Sequence, residues 1–399
     1  MNYKLKSDNF QSGRLIAGNY LFTGQEFIKN GLVEIDDEGV VLALDSLGNP
    51  PAEKAGVEFY NGIICPGFVN AHCHLELSHM ESKLPQKQGM SAFCKSIMQL
   101  RNHDVDKQQE AMSLADKLMD IEGIVAVADI ANTEASIRIK KKSRLKYHTF
   151  VETFGLKPDL ADDIFAKASL LKVAFEANGL RATITPHAPY SLSENLFRLT
   201  VDAGNSEGIV SIHNKESRDE VELFSKKQGA MRNLFGSEVD LFLNSNHNPM
   251  QRIINHIAPD ARLLLVHNTF VNSDDLEQID AQKTTLILCP ASNLYIENRL
   301  PDIDLFDKYN MPIALGTDSL SSNTSLSILK EMKIIEAHFP NIGLQKLLRW
   351  ATLNGARALQ MDGDIGSFDL DKRPGITLLS NIDFKNMKLT DNAVSRKIV

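Results

Sequence analysis

The sequence predicts an α/β protein built on a (β/α)8 barrel, with a small β domain contributed by both chain ends. Three observations predict it. Eight apolar, β-leaning runs begin at residue 63, each with room for a helix after it. Five of the eleven histidines, and an aspartate, fall at or just past the ends of those runs. Both ends of the chain, by contrast, are short-period and punctuated by turns. Strands alternating with helices imply parallel pairing through crossover helices, and a (β/α)8 barrel carries its reactive groups at the C-terminal ends of its strands. A doubly wound sheet is the rival for the same alternation, but positions 72 to 318 converge only in a closed barrel.

The opening 60 residues contain Tyr20-Leu21-Phe22 and runs at 31–35 and 40–44, separated by Gly and Asp36-Asp37-Glu38-Gly39. These read as short strands and hairpin turns with no helical period. The eight barrel runs are 63–69, 124–130, 147–154, 181–185, 209–212, 262–266, 284–288 and 312–315. Amphipathic stretches at 112–119, 164–175, 194–203, 219–227 and 325–337 read as helices between them. Runs at 363–367 and 373–379 read as strands again, so the two termini share one small sheet. The expected organisation is therefore 1–62 plus 363–399 for the β domain and 63–362 for the barrel.

The chain has 399 residues and a net charge of −8, from 43 Lys+Arg against 51 Asp+Glu. Apolar residues make up 43% and charged residues 24%, which excludes a disordered or collagen-like chain. The acidic balance argues against a nucleic-acid partner. No apolar run approaches the roughly 20 residues of a membrane helix, and the first residues lack the apolar stretch of a secretory signal. Cys65, Cys73, Cys94 and Cys289 form no CxxC pair, hence neither a disulfide framework nor a thiolate zinc cluster. A cytoplasmic protein with reduced thiols is expected.

His72-Cys73-His74 follows the first run and Pro66-Gly67-Phe68. In extended chain residues i and i+2 point the same way, so both imidazoles can hold one metal while Cys73 points away. A bare HxH is also compatible with two unrelated loop histidines. His213 is a third nitrogen candidate, and Glu216 a proton shuttle or a solvated loop charge. Asp318 is a hard oxygen ligand or the N-cap of the next helix. His267 orients the nucleophile or polarises the substrate, or is a satisfied buried histidine; that alternative applies to His187 too. Three imidazoles and a carboxylate suit one divalent metal, Zn2+ first and Fe2+ second. Such an ion brings the pKa of bound water to about 7, and a nearby Glu can move the proton. This is equipment for metal-assisted hydrolysis. HExxH, HxE…PCxxC, GxxxxGK[ST] and GxGxxG patterns are all absent. Lys140-Lys141-Lys142 reads as a solvated helix end, and Cys289 and Trp350 as packing.

The motifs Pro66-Gly67-Phe68-Val69-Asn70-Ala71-His72-Cys73-His74, Thr185-Pro186-His187-Ala188-Pro189-Tyr190, His213-Asn214-Lys215-Glu216, Val266-His267-Asn268, Cys289-Pro290-Ala291-Ser292-Asn293 and Leu315-Gly316-Thr317-Asp318 resemble the amidohydrolase superfamily. The resemblance covers nearly the whole chain. It points to the branch of guanine deaminase, S-adenosylhomocysteine/methylthioadenosine deaminase and triazine chlorohydrolases, which carries a small β-sandwich built from both termini. It implies a mononuclear site with His72, His74, His213 and Asp318 as ligands. Glu216 would shuttle protons, His267 would bind the attacking water, and His187 would contact substrate. The fourth run has no Lys for a carboxylated bridge between two metals. Within the branch, residues 74–79 and 316–323 look most like aminodeoxyfutalosine deaminases of the menaquinone route. That implies attack of metal-bound hydroxide on the amino-bearing carbon of an aminopurine nucleoside, with release of ammonia. Glu152, Asp129 and Glu76 could serve ring edges and ribose hydroxyls, or be barrel-mouth structure. The alternatives are guanine or S-adenosylhomocysteine/methylthioadenosine deamination, ring-amide hydrolysis or dechlorination on the same scaffold, and a non-catalytic binding protein. A small heterocyclic substrate and a homodimer complete the expectation.

Overall fold

The computed structural model describes residues 13–100, 104–243 and 248–399. The first strands are β1 (Arg14–Phe22), β2 (Phe27–Lys29), β3 (Gly31–Ile35), β4 (Val41–Ser46) and β5 (Val57–Pro66). Eight more follow: β6 (Phe68–Cys73), β7 (Ile124–Ala131), β8 (Lys146–Thr153), β9 (Arg181–Pro186), β10 (Ile209–Asn214), β11 (Arg262–His267), β12 (Thr284–Leu288) and β13 (Ile313–Leu315). The last are β14 (Ile376–Asp383) and β15 (Lys388–Lys397).

Strands β6 to β9 form one four-stranded sheet and β10 to β13 another. Every residue of β10 and β12 is buried, as expected of parallel strands covered on both faces. The two sheets meet along both margins. Between β9 and β10, the His213 N–H donates to the His187 carbonyl at 2.9 Å. On the other side, the N–H groups of Thr317 and Asp318 donate to the His72 carbonyl at 3.0 and 3.1 Å. The strands thus close a ring, and helices such as Val105–Ile121, Ala161–Ala177, Glu194–Ser206 and Ile328–His338 alternate with them.

Contacts divide the chain into two units. One includes the chain through Asn70, Leu118–Ala126 and Ser327–Val399; the other is Ala71–Lys117 with Val127–Leu326. The first contains a seven-stranded sheet in the order β15-β14-β5-β1-β3-β4, with β2 on β1. Its core includes Ile16, Leu21, Val33, Ile64 and Phe368. The ends of the chain do share one sheet. Among the described residues no helix is long and apolar enough to cross a membrane.

Seven of the eight expected barrel runs coincide with a strand within a few residues. The first does not. Residues Ile63 to Pro66 pair with β14 in the terminal sheet, and the ring strand starts at Phe68. Gly67 lies at the break: a Cβ there would sit 2.2 Å from Val125 Cγ1 and 2.8 Å from the Pro374 carbonyl. Residues 363–367, read as a strand, form turns around Gly366 at φ +89°.

Lys140 is also not solvated. It is 3% exposed, its Nζ is 2.6 Å from Asp129 Oδ2, and it donates to Thr149 Oγ1 at 2.9 Å. Asp129 Oδ1 in turn accepts the Leu75 N–H at 2.7 Å, which anchors the chain directly after His74. Removing one partner of a buried pair leaves an uncompensated charge. Lys140→Met should therefore lower unfolding stability by about 3–5 kcal/mol in urea titrations, and the double variant D129N/K140M should recover most of the loss.

Candidate active site

The site forms at strand ends, within the second unit. His72 is the penultimate residue of β6 and His213 of β10, while His267 ends β11. His74 and His187 directly follow β6 and β9, Glu216 lies two residues past β10, and Asp318 three past β13. Two local features aim them. Gly316 lets the chain before Asp318 pass against β6; a Cβ there would sit 2.8 Å from His72 Cβ and 3.0 Å from Cys289 Sγ. His267 and Asp318 both adopt left-handed backbone, at φ +70° and +55°, which a non-glycine residue keeps only where its surroundings over-determine it. Beside His267, the Asn268 N–H donates to the Asn214 carbonyl at 3.0 Å. Asn214 Nδ2 returns a bond to Asn268 Oδ1 at 3.0 Å, and Asn268 Nδ2 bonds the Leu265 carbonyl at 2.6 Å.

The imidazoles crowd together. His72 Nε2 and His74 Nε2 face each other at 3.1 Å. The His213 ring centroid lies 4.9 Å from that of His72 and 5.3 Å from that of His267. Asp318 Oδ1 is 3.8 Å from His72 Nε2 and 3.5 Å from His74 Nε2. Its Oδ2 accepts hydrogen bonds from Ser292 and Ser322, both at 2.6 Å. His213 Nδ1 donates to the His187 carbonyl at 2.8 Å, which leaves Nε2 with its lone pair.

Burial, reinforced by the neighbouring imidazoles, holds His72 and His213 well below the ordinary histidine range. Burial likewise pushes His187 down to about 3 and His267 to about 4. For Asp318 burial opposes ionisation, but His74, His267 and the two serine hydroxyls outweigh it and keep the carboxyl low. Two imidazole nitrogens 3.1 Å apart repel unless a proton or a cation lies between them. The donor atoms of His72, His74 and Asp318 lie within 4.8 Å of one another, as do those of His72, His213 and His267. Several imidazoles with one carboxylate fit a divalent metal of the zinc or iron type. Asp318 does not cap the next helix; Ser327 does, accepting the Lys330 N–H. Cys73 belongs to none of the candidate ligand groups among the described residues.

Glu216 is 6% exposed, and its Oε1 is 3.4 Å from His267 Nε2. Burial, then the charges of Asp318 and Glu220, push its carboxyl well above the usual carboxylate range. Its backbone is fixed because Glu220 accepts the N–H groups of both Lys215 and Glu216, at 3.2 and 3.0 Å. On the opposite side, His187 Nδ1 is tied to Ser191 Oγ at 2.8 Å. Glu152 accepts from Asn132 Nδ2 through Oε2 at 3.2 Å, while its Oε1 is buried without a hydrogen-bond partner, 3.8 Å from His213 Nδ1. The Glu76 carboxylate accepts from the backbone of Asn132 and Thr133 at 3.2 and 3.3 Å. Asp129 is fully buried in its pair with Lys140.

The model of the amidohydrolase family matches residues 63–398. The chain belongs to that family. This amidohydrolase is a hydrolase acting on carbon–nitrogen bonds other than peptide bonds. It is 27% identical over 367 residues to the aminodeoxyfutalosine deaminase of Deinococcus radiodurans, covering 87% of this chain and 85% of that relative. The crystal structure of Helicobacter pylori aminofutalosine deaminase in complex with methylthio-coformycin is 25% identical, with a TM-score of 0.77 over 94% of this chain and 93% of that one. An adenosine deaminase from Xanthomonas campestris with bound zinc shares the (β/α)8 fold, at a TM-score of 0.70 and 19% identity over 92% of this chain and 84% of that one.

Sequence reasoning missed the supporting groups: Asn214, Asn268, Ser292, Asn293 and Ser322. Their signal was adjacency, since four of them stand beside or inside the quoted motifs. In this amidohydrolase, adding one methyl at the Gly316 contact crowds His72. Gly316→Ala should lower stability by about 1–3 kcal/mol, as read by thermal denaturation.

Proposed function

We propose that this amidohydrolase is a metal-dependent hydrolytic deaminase of an aminopurine nucleoside, with aminodeoxyfutalosine as its substrate. The observation that carries the reading is the buried Glu216–His267 pair beside the clustered imidazoles and Asp318. The identity to an aminodeoxyfutalosine deaminase along most of both chains supports the choice of substrate.

His72, His74, His213 and Asp318 would hold one divalent ion, zinc by preference and iron as the second choice. Bound there, the ion would supply a water of pKa about 7. The chain's own residues do the rest. Glu216, raised by burial, carries a proton and delivers it to the ring nitrogen next to the amino-bearing carbon. His267 and Asp318 orient the attacking water. Water adds to that carbon and gives one proton back to the Glu216 carboxylate; Glu216 passes it to the amino group, which departs as ammonia while the new hydroxyl gives its proton to Glu216 and becomes the ring carbonyl. His187, Glu152 and Glu76 bind substrate. The unpartnered Glu152 Oε1 accepts a sugar hydroxyl, and Glu76 holds the Asn132–Thr133 turn beside it. The same reading assigns residues 1–62 and 363–399 to a β-sandwich domain and 63–362 to the barrel. It makes the protein a cytoplasmic homodimer.

Ammonia release from a panel of aminodeoxyfutalosine, adenosine, methylthioadenosine, S-adenosylhomocysteine and guanine tests the proposal. Turnover of aminodeoxyfutalosine with the highest kcat/KM is expected, and no release from any member overturns it. Glu216→Gln keeps the shape of the side chain without its proton chemistry. It should cut kcat by about 10²- to 10⁴-fold while elemental analysis still finds one metal per chain. Removal of the metal by chelation should abolish turnover, and added Zn2+ should restore it.

A further inference from the structure

The motif Cys289-Pro290-Ala291-Ser292-Asn293 follows β12, a strand that supplies none of the residues given roles above. We propose that Ser292 and Asn293 are positioning residues, Ser292 for Asp318 and Asn293 for His267. The inference rests on the metal-site and His267 roles just proposed.

The strand order β11-β12-β13 places β12 between the strands that lead to these two groups. Pro290 starts the helix Pro290–Ile296, and consecutive helical residues diverge by about 100°. Ser292 and Asn293, at 0% and 1% exposure, therefore reach different neighbours from one turn. Ser292 Oγ donates to Asp318 Oδ2 at 2.6 Å, and Ser322 Oγ donates to the same oxygen at 2.6 Å. Two hydroxyls on Oδ2 fix the rotation of the carboxylate and leave Oδ1 turned to the imidazoles of His72 and His74. Asn293 Nδ2 reaches two acceptors with its two protons: Thr269 Oγ1 at 2.8 Å and His267 Nδ1 at 3.3 Å. An amide donor on Nδ1 places the ring proton on Nε2, the atom that faces Glu216 Oε1 at 3.4 Å. His267 is thereby set as a donor toward the reacting centre, and Asp318 as an acceptor toward the ion. Neither residue touches substrate; each acts through its neighbour.

Zinc competition against a chromogenic chelator on the full-length chain tests the first half. Ser292→Ala and S292A/S322A should bind Zn2+ about 10- to 100-fold more weakly, and Ser292→Thr, which keeps the hydroxyl, should restore affinity. Should Ser292→Ala fail to fold, Ser292→Cys carries the same comparison with a weaker donor. Nitrogen-15 NMR of histidine-labelled protein tests the second half. His267 should be protonated on Nε2 in the wild type and on Nδ1 in Asn293→Asp, whose kcat should fall with little change in KM. Unchanged zinc affinity in S292A/S322A overturns the Ser292 role, and an unchanged His267 tautomer in Asn293→Asp overturns the Asn293 role. Wild-type protein that took up no zinc would instead overturn the reading on which both rest.

Discussion

The active face depends on holding imidazoles at close range in a buried site. Histidines whose Nε2 atoms stand 3.1 Å apart would, in water, separate. Here the strands hold them, and burial disfavours the charged form of His72. The closing contacts of the ring are made by the same residues: the His72 carbonyl accepts from Thr317 and Asp318, and His187 and His213 join β9 to β10. Ring closure and ligand convergence are thus one event. A chain that failed to close would lose the site, and a chain with the site cannot leave the ring open.

That arrangement carries local costs. His267 and Asp318 occupy left-handed backbone, worth about 1–3 kcal/mol of strain each in general. The compensation is close by. Asn214 and Asn268 bond each other and the backbone around His267. The carboxylate of Asp318 collects two hydroxyl donors. Glu220 holds the backbone of Lys215 and Glu216. Below His74, the buried Lys140–Asp129 pair pins the Leu75 N–H. These side chains bond backbone and one another, and so hold in place the groups nearest the reaction.

What could be read from the sequence follows from this physics. Buried parallel strands are continuous apolar runs, and seven of the eight barrel strands announced themselves that way. The first was misplaced because the run is apolar straight through Gly67, and only the close approach of Val125 shows where one strand ends and the next begins. β15 was invisible because Ala393 alone is buried along it, so it carries no period. The convergent histidines were legible because reactive groups sit at strand ends. Their partners were not: Ser and Asn are ordinary loop residues, and Ser292 meets Asp318 across 26 positions, Asn214 meets Asn268 across 54. Lys140 was misread because three successive lysines look solvated, and nothing local marks the one whose partner is Asp129.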